Sequence, residues 1–150
     1  MKRLMIGIVL AASFVSTVYA HDYIIEVSGF KMRAEAAAQE AKSISCNRDK
    51  NQTATCIVAN SLDIAASLLA LIKSTDTNKE ALTKIGLASR TIGLTINSDI
   101  PSGTSASGSN VVDELDGDKT LIARYDDLFI SLNNLNGDLF DFERSKLNAD

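Results

Sequence analysis

Apolar residues recur along this chain at alternating steps of four and three. One run passes through Tyr23, Val27, Phe30, Ala34, Ala37, Ala41 and Ile44, and a second through Val58, Leu62, Ala65, Leu69 and Ile72. A third takes in Leu82, Ile85, Ser89, Ile92 and Ile96, and a fourth Leu121, Tyr125, Leu128, Leu132, Leu135, Leu139 and Phe142. A mean step of 3.5 residues keeps one stripe of a helix turned toward a neighbour lying nearly parallel or antiparallel to it. Four such stripes predict an all-α fold, an antiparallel up-and-down bundle of about four helices. The helices are expected over roughly 23–46, 54–74, 78–97 and 119–147. The β-branched stretch Tyr23–Val27 would also suit a short strand, but the helical period runs through it without a break.

Polar residues between the stripes mark the ends. Asp22 can cap the first helix and Thr53 or Thr55 the second. Thr77 and Glu80 form a capping box, in which the threonine hydroxyl accepts an orphan N–H and the glutamate reaches back. The only proline, Pro101, stops the third helix, and Asp118 suits the N-cap of the fourth. Short connections then force successive helices to run antiparallel. The exception is the stretch 99–118, a connection much longer than the usual two to eight residues. Its first half, 101–110, is rich in Ser and Gly and reads as flexible. Its second half is short, apolar and acidic.

Ahead of the bundle pattern lies a different one. Lys2 and Arg3 precede an apolar run from Leu4 to Val18, which closes on Val18-Tyr19-Ala20. That is the layout of a signal peptide cleaved after Ala20, and the run falls short of the roughly 20 residues needed to span a bilayer. The expected organisation is a leader over 1–20 and a single helical domain over 21–150, periplasmic or secreted and not membrane-spanning. The two cysteines, Cys46 and Cys56, are then expected to form a disulfide.

Charge changes the picture in one half only. Of 15 basic and 19 acidic residues, the leader holds Lys2 and Arg3, leaving a net charge of −6 beyond it. Residues 21–98 are close to balanced, whereas 99–150 carry eleven acidic and four basic side chains. Such a chain repels nucleic-acid phosphates and is steered toward basic protein surfaces. The segment Val111, Val112, Asp113, Glu114, Leu115, Asp116 and Asp118 is the predicted partner-binding stretch, with Val111, Val112 and Leu115 as apolar anchors inside an acidic frame.

Candidate chemistry is sparse. The single histidine, His21, would become a terminal residue, so Ser-His-Asp, Cys-His and di-iron Glu-x-x-His arrangements have no second component. No haem, metal or other cofactor is expected. Residues 132–143 place Gly137 and Glu143 where a calcium loop needs them, but the first ligand position is Leu132 and the helical period runs straight through. Asn51-Gln52-Thr53 matches a glycosylation acceptor with little weight of its own. Gly86 and Gly93, seven apart, and the alanines of the first helix suggest a close approach between helices one and three, or onto a partner chain. The expected function is a non-enzymatic binding protein, such as an inhibitor or immunity protein. The alternatives are a structural or self-associating subunit, with homo-oligomers, and a carrier of a small apolar ligand.

Overall fold

The computed structural model describes residues 23–46, 54–98, 111 and 114–148. The leader, the capping role of Asp22 or Thr53, the glycosylation motif, Pro101 with the Ser- and Gly-rich stretch 101–110, the anchor Val112 and Asp113 lie outside these residues. Four helices, α1 (Ile24–Ile44), α2 (Ala54–Ala70), α3 (Asn78–Asn97) and α4 (Lys119–Leu147), make up an all-α bundle with no strand among the described residues. Each packs on its neighbours in chain order, and α4 closes the ring against α1. No helix among the described residues is long and apolar enough to cross a membrane.

The stripes become the core. Val58, Leu62, Ala65, Leu69 and Ile72 are all buried, as are Leu82, Ile85, Ser89 and Ile92 of the third run and Tyr125, Leu128, Leu132, Leu135 and Leu139 of the fourth. In α1 the buried set is Tyr23, Val27, Ala34, Ala38, Ala41 and Ile44. Ala38 joins the predicted stripe, while Phe30 and Ala37 are only partly buried against the core. The Tyr23–Val27 stretch is helical. The ring of Phe142 near the end of α4 meets Tyr23 and Phe30 of α1 edge to face, at 5.5 and 5.6 Å between centroids.

Helix ends follow the sequence in three places and depart from it in two. Thr77 and Glu80 form both halves of the capping box. Asp118 accepts from the N–H groups of Thr120 and Leu121 at the start of α4. The Cys46–Cys56 disulfide joins the end of α1 to the first turn of α2, with Cα atoms 4.7 Å apart. However, α2 stops at Ala70 rather than near residue 74. Asp76 takes over there, accepting from the Lys73 N–H at 3.0 Å, while Lys84 Nζ donates to both Asp76 and the Leu71 carbonyl. Thr55, a candidate cap, is instead a buried residue inside the first turn of α2.

Three of these polar arrangements set an acid limit on the fold. Hydrogen bonding from Arg124 holds the Glu40 carboxyl below its ordinary range, Lys84 and the Lys73 N–H do so for Asp76, and the Thr77 N–H and hydroxyl for Glu80. A carboxyl whose folded pKa is depressed contributes stability that is present above its unfolded value, about 4, and lost as pH falls through the folded one. Thermal unfolding followed by circular dichroism is therefore expected to shift to lower temperature below about pH 4.5. The acid slope should be shallower in Asp76→Asn and Glu80→Gln; an unchanged slope would remove these groups as its source.

Candidate functional site

The predicted partner-binding stretch turns inward. Val111 and Leu115 are buried in the core, and the Leu115 N–H donates to the Val111 carbonyl at 2.9 Å. Glu114 crosses to the start of α2, where its carboxylate accepts from the Ala54 N–H at 2.8 Å and from the Thr55 hydroxyl at 2.6 Å. It thus supplies the negative group that an N-terminus attracts, from 60 residues away. Asp116 and Gly117 both adopt left-handed backbone, φ 53° and 68°, which reverses the chain into α4 below the Asp118 cap. Of the predicted stretch, Val111, Glu114, Leu115 and Asp118 hold the bundle together, and Asp116 is exposed at the turn. The apolar anchors among them face their own core, so they present no surface to a partner in this state.

Beside this segment sits Tyr125, fully buried, its hydroxyl without a hydrogen-bond partner among the described residues. Burial pushes its phenol well above the ordinary value, and the carboxylates of Glu114 and Asp126 add to the shift. Removing an unsatisfied buried hydroxyl while keeping the ring recovers desolvation free energy. Tyr125→Phe is accordingly expected to raise the unfolding free energy by up to about 1 kcal/mol in urea titration. A loss of that size would mean that the hydroxyl is bonded in solution.

Two grooves flank α4. The one toward α1, about 460 Å³, runs between Ala36 and Ala37 on one wall and Leu128 and Leu135 on the other. It is spanned at its ends by Arg33 to Asp138 at 2.6 Å and by Arg124 to Glu40 at 2.8 Å, with Arg124 also donating to the Ser43 hydroxyl. Both guanidiniums are therefore engaged by carboxylates of the same chain. The groove toward α3, about 330 Å³, holds the glycine face: the Glu143 carboxylate lies over Gly86, and Ser89 donates to Asn136 at 3.1 Å beside Gly93. The expected contact between helices one and three is corrected by this arrangement, because α1 and α3 lie diagonally across the bundle and the glycines face α4. The calcium-like stretch 132–143 is continuous helix, with Leu132, Leu135 and Leu139 in the core.

Another unpartnered apolar surface lies on α2 and α3, where Leu94 also edges the groove toward α4. Ile57 and Ile64 stand on the outer face of α2 and Leu71 just past its end, at seven-residue steps, 40, 52 and 58% exposed. On the adjacent helix Leu87 and Leu94 repeat the spacing, 43 and 68% exposed. The Ser61 hydroxyl donates to the Thr91 carbonyl and Lys84 Nζ to the Leu71 carbonyl, which fixes the antiparallel register of the two helices. That register sets Ile57 level with Leu94 and Ile64 level with Leu87. The helix α2 carries one charged residue in 17, Asp63, and Lys42 of α1 pairs with it at 2.6 Å. No known protein family, curated protein or solved structure matches this chain. The α2–α3 face thus stands on its physical chemistry alone. It was readable in principle, since Ile57, Ile64 and Leu71 form a second seven-residue stripe beside the core stripe. The core stripe is stronger and accounts for the helix by itself, which is why the second went unused.

Proposed function

We propose that this protein is an exported, non-enzymatic binding protein that recognises another protein through the outer face of α2 and α3. One observation carries the reading: Ile57, Ile64, Leu71, Leu87 and Leu94 form two exposed apolar rows, side by side, on helices whose other faces already fill the core. Together they leave on the order of 500 Å² of apolar surface open, within the range of the largest patch on a monomer, which is often functional. The charged leader followed by an apolar run supports export, and the Cys46–Cys56 bridge suits an oxidising compartment. The acidic surplus of residues 99–150 lies outside α2 and α3 and steers those residues away from acidic surfaces.

A photo-reactive residue at Ile64, introduced into the full chain in the producing cell, tests the reading. Covalent adducts are expected from Ile64 and not from a probe at Asp127 on the far side of the bundle. Ile64 giving none, or no more than Asp127, would remove the α2–α3 face as a binding surface.

A further inference from the structure

We infer that the occupant of the α2–α3 face is a second copy of this chain. This rests on the binding role proposed for that face and names its partner. The first argument is the register. Ile57 is level with Leu94 and Ile64 with Leu87, so a twofold axis running along the groove between α2 and α3 sets α2 of each copy on α3 of the other. Ile57 then meets Leu94 of the second copy and Ile64 meets its Leu87. The same contacts recur with the roles exchanged, which is what a twofold interface requires. Four apolar side chains close one layer, Ile57 and Leu94 twice over, and four close the next, about 10 Å along the helix.

The second argument is charge. With net charge −6 beyond the leader, the molecule repels its own copies wherever acidic surfaces meet. The acidic residues concentrate beyond residue 98, and α2 contributes only Asp63, held by Lys42 of α1 at the side of α2 away from α3. The α2–α3 face is where two copies can meet without that repulsion. The third argument is size. A stable interface covers about 800 Å² per partner. The five exposed apolar residues supply on the order of 500 Å² of it, and Asn60, Ser67, Thr83 and Arg90, all exposed beside them, form the polar rim.

Sedimentation equilibrium on the chain beginning at His21 tests the inference. A dimer is expected at about 200 μM, dissociating on dilution into the low micromolar range. Ile64→Asp places a carboxylate in the dry centre of each half, and the dimer dissociation constant is expected to rise on the order of 100-fold. Leu87→Lys alone should act similarly. Mixed one to one, the two variants should re-form a dimer, because the new acid of one copy then faces the new base of the other. Circular dichroism of each variant should match the parent, since both side chains lie outside the core and are 52 and 43% exposed in the monomer. A wild-type chain that stays monomeric at 200 μM, a dimer indifferent to Ile64→Asp, or variants that remain apart when mixed would each overturn the inference. A monomer whose Ile64 probe still captures a different protein would overturn only this inference and leave the binding role standing. A silent probe would end both.

Discussion

Replacing Cys46 and Cys56 together with alanine is expected to lower the free energy of unfolding by about 3 kcal/mol. The bridge spans ten positions of sequence, and closing a loop of that length in the unfolded chain removes about 9 cal/mol/K of conformational entropy, or about 3 kcal/mol at room temperature. It acts where the bundle most needs a constraint. Cys46 follows the last turn of α1 and Cys56 lies in the first turn of α2, so the bridge sets the antiparallel hairpin of the helix pair in most extensive contact. That pair is rich in alanine, with Ala34, Ala38 and Ala41 buried on α1 and Ala59, Ala65 and Ala66 on α2. Alanine packs tightly but buries little area, and hydrophobic stabilisation scales with area. For a domain of about 130 residues the loss corresponds to a fall in Tm of roughly 10 °C. Scanning calorimetry with and without reductant checks it: reductant should reproduce the shift in the parent protein and do nothing to the double variant. A parent protein indifferent to reductant would show that the hairpin is set by packing alone.

Glu114→Ala is expected to cost about 2 kcal/mol. Its carboxylate takes two hydrogen bonds at the start of α2, one from a backbone N–H and one from the Thr55 hydroxyl. Bonds to a charged acceptor contribute about 1.5–3 kcal/mol, and loss of an N-terminal cap alone costs about 1 kcal/mol. Glu114 also ties the turn carrying Val111 and Leu115 onto the bundle, so its removal loosens two buried side chains. Glu114→Gln keeps one acceptor oxygen and should lose about half as much. Asp116→Ala, at an exposed turn position, should stay within about 0.5 kcal/mol apart from backbone effects of its left-handed conformation. Urea unfolding of the three variants ranks them. Equal costs for Glu114→Ala and Asp116→Ala would show that the cap across the bundle contributes nothing.

The two experiments probe links of different origin. The disulfide was visible in the chain as two cysteines at the junction between two helical stripes, and nothing else competed for them. Glu114 was visible only as one acid among several in an acidic stretch, and sequence reasoning gave it, with Val111 and Leu115, to a partner. A short apolar and acidic segment reads the same whether it docks outward or inward. Which of the two it does depends on whether the bundle leaves a slot for Val111 and an uncapped N-terminus within reach of Glu114. Both conditions belong to the assembled fold.

By itself the sequence determined the helical class, four helices, one buried stripe on each of them, the capping box at Thr77 and Glu80, the Asp118 cap and the disulfide. These follow from local rules: a period read over a few turns, a hydroxyl three residues from a carboxylate, two thiols beside one turn. Buried positions beside the stripes, such as Ala59, Ala66, Ala81 and Ala88, emerged only in the fold. Only the tertiary structure decided that α1 and α3 lie diagonally, that the glycines meet α4, that Glu114 caps α2, and that Ile57, Ile64 and Leu71 line up beside Leu87 and Leu94. Those outcomes depend on the order in which helices close around the core and on their relative register. Both are set by the summed packing of all four stripes, and no single stripe carries that information.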